Sequence, residues 1–228
     1  MLGNTILDQR LLSVIKWVIF DVMGVIFTVS DDVNGILIPF LQQVDPAFQP
    51  GPAHVRENYV LASAGQMTSE AFWQKIGFGE QYPDIEREFL NTCFTLDPEF
   101  KLVARALQET YCLGVLSNDL GEWSQQLRAI YDLNDLFDVV VISGEVGCRK
   151  PERLIFEILL ERLPANPGEC LFVDDKRINL EMGADVGLIT TQFVREGQLS
   201  KIEPDFTPDY TIHSFSELPA LLQSITRQ

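Results

Sequence analysis

The chain has 228 residues, with 33 acidic and 17 basic side chains and a formal net charge of -16. Apolar residues make up 46% and charged residues 22%, a balance typical of a globular protein large enough for an α/β domain with an insertion. A strongly negative field repels nucleic acid and anionic membrane surfaces, so we expect neither as a partner. A small anionic ligand would need a local cluster of positive side chains.

The cysteines are Cys93, Cys112, Cys148 and Cys170, which are widely spaced and form no C-x-x-C pair. This spacing disfavours a zinc site or a redox motif. We expect reduced, mostly buried thiols and therefore a reducing, cytoplasmic compartment. The apolar stretch at residues 11–27 contains charged residues and lacks a signal-peptide cleavage pattern. It predicts a buried strand with a short lead-in rather than a membrane span.

Short, continuous apolar runs recur along the chain at residues 17–20, 113–116, 139–142, 171–173 and 188–191. Such runs are typical of parallel strands that are covered on both faces. Helical patterns at residues 120–131, 151–163 and 178–185 separate the later runs. Alternating strands and helices predict a Rossmann-like, three-layer α/β fold with a parallel sheet.

The interval from residue 29 to residue 96 breaks this alternation. It holds amphipathic stretches at 32–43, 52–63, 68–76 and 83–94 and no comparable apolar run. We therefore predict an all-helical cap at residues 29–96, inserted into a core formed by residues 1–28 and 97–228. A helix at 97–111 would return the chain to the sheet.

Polar residues follow the ends of several predicted strands. Asp21, Ser117 and Asp174 come directly after apolar runs, and Lys150 lies in the segment after the run at 139–142. Open parallel sheets bind ligands beyond the carboxyl ends of their strands. The sequence therefore predicts that these side chains meet at one edge of the sheet.

These residue types fit phosphoryl transfer. An aspartate such as Asp21 can attack phosphorus and form an aspartyl-phosphate that water hydrolyses. Asp21, Asp175 and the backbone carbonyl of Met23 offer hard oxygen ligands for Mg²⁺, and Asp174 would orient a bound water. Lys150 would supply positive charge to the phosphate.

Two further residues are candidates for phosphate binding. The hydroxyl of Ser117 and the amide of Asn118 can donate to a phosphate at the start of the next helix. Taken alone, however, Ser117-Asn118 is also typical of a pair that caps that helix. Asp174-Asp175 is the strongest single signal, because adjacent carboxylates at a buried strand end repel each other unless a cation relieves them.

The chain resembles the haloacid dehalogenase-like hydrolase superfamily in four segments that occur in order along nearly its whole length. They are Phe20-Asp21-Val22-Met23-Gly24-Val25, Leu116-Ser117-Asn118, Lys150-Pro151 and Phe172-Val173-Asp174-Asp175. The details around them resemble the branch of bacterial sugar-phosphatases and the N-terminal phosphatase domain of epoxide hydrolases. That resemblance implies a helical cap after the first strand and a Mg²⁺-dependent phosphatase of a small phosphomonoester, with sugar phosphates among the candidates.

Met23 departs from the family pattern, because phosphatases of the superfamily usually place there an aspartate that protonates the leaving group. General acid–base assistance is typically worth about 10² to 10⁴ in rate, so its loss would slow the reaction without forbidding it. His54, Glu57 and Glu70 in the predicted cap are candidates for a replacement acid, and the sequence does not rank them.

Two other functions compete with the phosphatase. A haloacid dehalogenase would also use Asp21 as the nucleophile, but Asp21 would attack carbon and no metal would be needed. Resemblance to that branch would imply Ser-Ser-Asn at the place where this chain has Asp174-Asp175. A non-catalytic binding or regulatory protein would explain Met23. Such a protein has no evident need, however, for the four intact residues Asp21, Ser117, Lys150 and Asp175. The sequence gives no indication of oligomeric state.

Overall fold

The computed structural model describes residues 14–48, 51–195 and 205–226. Parts of four predicted ranges lie outside the described residues. These parts are residues 1–13 of the first core segment, residues 11–13 of the apolar stretch, residues 49–50 of the cap, and residues 196–204 and 227–228 of the second core segment.

The described residues contain one parallel sheet of six strands. The strands are β1 (Trp17–Phe20), β2 (Cys112–Ser117), β3 (Val139–Ile142), β4 (Cys170–Asp174), β5 (Ile189–Phe193) and β6 (Tyr210–Ile212). Their order is β3-β2-β1-β4-β5-β6, so β1 lies in the middle between β2 and β4. The predicted α/β fold with a parallel sheet is confirmed, and β6 adds an edge strand that the sequence pattern did not indicate.

The other regular elements of the described residues are helices. They are α1 (Ile38–Val44, preceded by a π-helical turn at Val33–Leu37), α2 (Pro52–Ser63), α3 (Ser69–Lys75), α4 (Asp84–Thr92), α5 (Phe100–Leu107), α6 (Gly121–Ile130), α7 (Ser143–Val146), α8 (Arg153–Arg162), α9 (Arg177–Asp185) and α10 (Leu218–Thr226). Single 3₁₀ turns occur at Gly79–Gln81, Asn134–Leu136, Pro167–Glu169 and Phe215–Glu217. None of the described helices has the length and hydropathy needed to cross a bilayer.

The central strand β1 is buried on both faces, which explains its continuous apolar sequence. Successive side chains of a strand point to opposite faces. Val18 and Phe20 accordingly join an apolar cluster that includes residues of α5 and α10, whereas Trp17 and Ile19 join a second cluster with residues of α8 and α9. The sheet is therefore the middle layer of three.

The thiols follow the expectation only in part. All four cysteines are free; Cys148 and Cys170 are buried, and Cys93 is partly buried. Cys112 is exposed, because it is the first residue of β2 and lies outside the apolar layers that cover the rest of that strand.

The helical segment between β1 and β2, called the insertion below, begins and ends at neighbouring residues. Phe27 and Leu96 form an antiparallel bridge, and the backbone N–H of Thr28 donates to the Thr95 carbonyl at 3.0 Å. Between these residues the described elements, α1 to α4 with two short turns, are all helical. The insertion therefore begins and ends side by side.

A buried carboxylate joins the insertion to the core. Glu86 on α4 is 3% exposed and accepts hydrogen bonds from the Nε1 atoms of Trp73 (2.8 Å) and Trp123 (2.7 Å) and from Nε2 of Gln126 (2.9 Å). Trp123 and Gln126 belong to α6, which follows β2. Three donors thus converge on one carboxylate, which links α4 to α3 and α6.

We expect Glu86→Ala to lower the free energy of unfolding by about 3 kcal/mol or more, because buried donors left without an acceptor cost about 1 to 3 kcal/mol each. A loss of this size lowers Tm by about 6 to 12 °C in a protein of this length. Thermal unfolding measured by circular dichroism checks it. Glu88→Ala, an exposed substitution on the same helix, is the matched control; equal losses in both variants would contradict the role of Glu86.

Candidate active site

Three adjacent strands bring their carboxyl ends together in the middle of the sheet. Asp21 follows β1 directly, Ser117 ends β2 and Asp174 ends β4. The backbone N–H of Asp21 donates to the Val173 carbonyl at 2.8 Å, which continues the pairing of β1 with β4 one residue beyond the strand. The order of the strands therefore explains why residues so distant in sequence meet.

Lys150 lies among these strand ends although it comes from the segment after β3. Its Nζ is 2.8 Å from Oδ1 of Asp21 and 2.7 Å from Oδ2 of Asp174. The lysine side chain is 1% exposed. Burial alone would lower its pKa, but the charges of Asp174 and Asp21 outweigh burial and raise the pKa above its usual value. Lys150 is therefore a fixed positive charge.

Carboxylates are concentrated in the site beyond what Lys150 neutralises. One oxygen from each of Asp21, Asp174 and Asp175 lies within 4.8 Å of the others. Burial, followed by the charge of Asp174, raises the pKa of Asp21 to about 6 and that of Asp175 to about 7. Such shifts show that the site favours an added positive charge.

The two adjacent aspartates have different surroundings. Both oxygens of Asp174 are engaged: the amide of Asn179 donates to them at 3.1 and 3.0 Å, and the backbone N–H of Lys176 donates to Oδ1 at 2.8 Å. Asp175 accepts a hydrogen bond from Ser30 at Oδ2, whereas its buried Oδ1 has no hydrogen-bond partner among the described residues. Asp174 therefore organises the site, and Asp175 keeps an oxygen available for a ligand.

Gly24 permits the close approach of Asp175 to the loop after β1. Its φ is +84°, and a Cβ atom at this position would lie 2.4 Å from Oδ2 of Asp175. Glycine is therefore required on two grounds, the positive φ and the lack of space. The oxygen cluster, with the free Oδ1 of Asp175, suits a hard divalent cation such as Mg²⁺.

Asn118 holds the lysine segment in place. Its Nδ2 donates to the Lys150 carbonyl at 2.8 Å, and its Oδ1 accepts from the Lys150 backbone N–H at 2.8 Å. Ser117 is buried, and its hydroxyl has no hydrogen-bond partner among the described residues. The alternative that these residues cap α6 is not observed, because Leu120 occupies the cap position without a side-chain hydrogen bond.

Met23 lines the cavity beside Asp21, and its side chain is 5% exposed and packs in the larger apolar cluster. A thioether in these surroundings neither donates nor accepts a catalytic proton. Its backbone pairs with that of Phe27 in an isolated bridge. The residue therefore takes part in the packing of the loop that carries Asp21.

A cavity of about 980 Å³ opens above these residues, with walls from both the core and the insertion. Positive side chains line it, as an anionic ligand of this acidic protein requires. They are Arg56, Arg149, Lys150, Lys176, Arg177 and Arg195. Sequence patterns predicted only Lys150 among them. Arg149 and Lys176 are direct neighbours of predicted site residues in the sequence, and this adjacency is a signal that could have identified them.

Lys176 and Arg149 add distinct features to the cavity. The charges of Asp175 and Asp21 raise the pKa of Lys176 to about 12 although burial, the largest influence, acts to lower it. The guanidinium of Arg149 lies 5.9 Å from the ring centroid of Tyr59. Its Nη1 is buried without a hydrogen-bond partner among the described residues, so it is available to a ligand.

The three candidates for a replacement acid do not line this cavity. Nε2 of His54 lies 3.2 Å from the Lys75 carbonyl, Glu70 accepts from Gln74, and Glu57 is exposed. The insertion instead contributes Asp31 and Asp32 to the cavity wall. Both come from the start of the insertion, where the sequence pattern indicated only the beginning of a helix.

The sequence matches a family model described as haloacid dehalogenase-like hydrolase over residues 15–187. Among similar proteins, human N-acylneuraminate-9-phosphatase is 30% identical over 132 residues, which are 58% of this chain and 53% of the relative. Glyceraldehyde 3-phosphate phosphatase from Pyrococcus furiosus is 30% identical over 145 residues, which are 60% of this chain and 59% of the relative. The chain therefore spans little more than half the length of these relatives.

Solved structures agree on the fold. A HAD phosphatase from Thermococcus onnurineus superposes with a TM-score of 0.68 at 24% identity, covering 91% of this chain and 98% of its own. The HAD-hydrolase YfnB from Bacillus subtilis, solved with bound magnesium, gives a TM-score of 0.67 at 18% identity and covers 91% of this chain and 98% of its own. The match of the family model over most of the chain, together with this architecture, shows that the protein belongs to the haloacid dehalogenase-like hydrolases.

Proposed function

We propose that the protein is a Mg²⁺-dependent phosphatase that hydrolyses a small phosphomonoester through an aspartyl-phosphate on Asp21. One observation carries the proposal: Asp21, Asp174 and Asp175 cluster within 4.8 Å at the carboxyl edge of the sheet, and Lys150 lies between two of them. The relatives named as phosphatases support the reaction class. Sugar phosphates are among the candidate substrates.

Asp21, Asp175, the backbone carbonyl of Met23 and, through a water, Asp174 would hold the Mg²⁺ ion. The unpartnered Oδ1 of Asp175 and the raised pKa values of Asp21 and Asp175 support this assignment. When bound, the ion supplies positive charge to the phosphoryl oxygens and relieves repulsion among the carboxylates.

The two oxygens of Asp21 have different roles in this proposal. Oδ1 accepts hydrogen bonds from the backbone N–H of Val22 at 2.7 Å and from Lys150 at 2.8 Å. Oδ2 is then the oxygen that attacks phosphorus. With a pKa of about 6, the carboxylate of Asp21 is mostly ionised at neutral pH and can act as a nucleophile.

Lys150 would pair with the transferred phosphoryl group, and the Asn118 amide would hold Lys150 in position from behind. The hydroxyl of Ser117 would donate to a phosphoryl oxygen, which gives its unpartnered Oγ a role. Fixed donors of this kind stabilise charge that spreads over phosphoryl oxygens in the transition state.

We also propose that residues 29–96 act as a cap over this site and that residues 1–28 and 97–228 form the catalytic core. The insertion supplies Arg56 and Tyr59 to the same cavity that contains Asp21 and Lys150. A cap in this position would exclude water and contact the part of the substrate that leaves.

A second candidate function is a non-catalytic binding protein of the same fold, which Met23 favours because a thioether cannot transfer a proton. Phosphate binding without turnover would support that alternative. A haloacid dehalogenase is disfavoured, since the paired carboxylates Asp174 and Asp175 suit a metal and would repel an anionic haloacid.

We expect the purified protein to hydrolyse members of a panel of phosphomonoesters with Mg²⁺ and to lose this activity in EDTA. Asp21→Asn should lower kcat by about 10³-fold or more, because the amide is a poor nucleophile and catalytic groups that act together fail together. Phosphate release measured with malachite green checks it. Asp185→Asn, at an exposed position on α9, is the control; activity that survives EDTA or Asp21→Asn would refute the mechanism.

Metal binding can also be measured as a rise in the thermal stability of the protein. At about 100 times its Kd, a ligand stabilises the folded state by about 2.7 kcal/mol, which corresponds here to a rise in Tm of about 5 to 10 °C. We expect Mg²⁺ to cause such a rise in the wild type and in Asp185→Asn but not in Asp175→Asn. Differential scanning fluorimetry measures it, and an undiminished rise in Asp175→Asn would argue against this aspartate as a ligand.

A further inference from the structure

Met23 leaves open which group protonates the departing alcohol in the proposed phosphatase reaction. Among the described residues, four aspartates line the cavity: Asp21, Asp31, Asp32 and Asp175. The first and last belong to the nucleophile and metal positions. Asp31 and Asp32, both from the insertion, are the two carboxyl groups that remain.

Asp31 is held in its ionised form. Its oxygens lie 2.8 Å from Nη2 of Arg56, and it accepts hydrogen bonds from the backbone and side chain of Asn34. Burial alone would raise the pKa of Asp31, but these hydrogen bonds and the Arg56 charge lower it below its usual value. A carboxylate of this kind is a poor proton donor.

The pKa of Asp32 is shifted in the opposite direction. It is only partly exposed, and desolvation raises its pKa although the Tyr59 hydroxyl and the Lys176 charge act against the rise. Oδ1 accepts from the backbone N–H of Val33 at 3.0 Å, and Oδ2 accepts from the Tyr59 hydroxyl. Two neighbouring acids whose pKa values are driven apart are typical of a site that needs one charged and one protonated carboxyl group.

The contacts of Tyr59 connect Asp32 to the phosphate site. The Tyr59 hydroxyl oxygen lies 3.4 Å from the carbonyl oxygen of Asn118, whose side chain holds both backbone groups of Lys150. Asp32 therefore lies on the cap side of the cavity, one side chain away from the segment that positions Lys150. A leaving group held between core and cap would lie against this wall.

We propose that Asp32 is the general acid that protonates the leaving alcohol, in the position on the cap that compensates for Met23; this inference rests on the proposed phosphatase function. As Oδ2 of Asp21 bonds to phosphorus, the bond between phosphorus and the ester oxygen breaks. The electron pair of that bond stays on the ester oxygen, which takes the proton of Asp32. In the second step water attacks the phosphoryl group on Asp21 and gives a proton to the Asp32 carboxylate. The bond between phosphorus and Oδ2 of Asp21 breaks, its electron pair returns to the Asp21 carboxylate, and inorganic phosphate leaves.

The charged groups around Asp32 set the pH range of this acid. Asp31, Asp119 and Lys176 act on it through their charges, and the Tyr59 hydroxyl acts through its hydrogen bond. The Arg149 guanidinium lies over the ring of Tyr59, and its charge partly balances the buried Asp119. Because the acid acts in its protonated form, kcat/KM for esters of poor leaving groups should fall as pH rises through its pKa.

The test compares Asp32→Asn with Asp31→Asn on two substrates. An alkyl phosphate needs protonation of its leaving group, whereas para-nitrophenyl phosphate releases a stable anion and needs little help. We expect Asp32→Asn to lower kcat/KM for the alkyl phosphate by about 10² to 10⁴-fold and kcat/KM for para-nitrophenyl phosphate by less than about 10-fold. This parameter reports the step in which the leaving group departs and not the later hydrolysis of the aspartyl-phosphate, which is common to both substrates. Asp31→Asn, the matched control, should change both substrates by the same factor.

Two further variants give readouts that a structural role of Asp32 would not move. In the Asp32→Asn background, Met23→Asp should restore turnover of the alkyl phosphate, because it returns an acid to the active site. Tyr59→Phe should shift the alkaline limb of the alkyl phosphate pH profile to higher pH, because the ionised Asp32 loses a donor. The alkaline limb itself should disappear in Asp32→Asn.

The outcomes separate this proposal from the phosphatase proposal. If the wild type hydrolyses both substrates and Asp32→Asn lowers kcat/KM equally for both, or for neither, Asp32 is not the acid and the phosphatase assignment stands. If the wild type hydrolyses neither substrate in Mg²⁺, both proposals are overturned together. Thermal unfolding of each variant shows whether a lost rate reflects a lost fold, and the Tyr59→Phe pH shift remains measurable if Asp32→Asn is unstable.

Discussion

The ion pairs of Lys150 with Asp21 and Asp174 are the constraint on which the rest of the site depends. An ammonium group that is 1% exposed stays charged only while both carboxylates remain within hydrogen-bonding distance. The segment that carries Lys150 must therefore be held rigidly. Asn118, which directly follows β2, holds this segment, and Asn179 on α9 holds Asp174. The order of the strands therefore determines where the positive charge of Lys150 lies.

The site gives different surroundings to aspartates that are adjacent in the sequence. Asp174 and Asp175 are adjacent, yet the first has both oxygens occupied by donors and the second keeps one oxygen free. Asp31 and Asp32, at the start of the insertion, are also adjacent, and their surroundings move their pKa values in opposite directions. In both pairs, different sets of hydrogen-bond donors distinguish the two members.

Sequence patterns predicted the strands whose residues form continuous apolar runs. Continuous apolar runs gave five of the six described strands, and the rule for parallel sheets brought Asp21 and Asp174 to one edge. The edge strand β6 was missed because it is three residues long and mostly outside the core. The contact of Asp32 with Tyr59 and the donors of Glu86 join residues 13 to 40 positions apart, and neither periodicity nor composition encodes such pairings.

The bridge between Phe27 and Leu96 has a consequence for how such a protein can change over evolutionary time. Because the insertion departs and returns at neighbouring residues, a different helical segment could be exchanged there without altering the register of the sheet. Asp21, Lys150 and Asp174 would keep their mutual distances through the exchange. If the proposed phosphatase function holds, new selectivity for the alcohol portion of a substrate can thus arise in one part of the chain while the phosphoryl chemistry is inherited unchanged in the other.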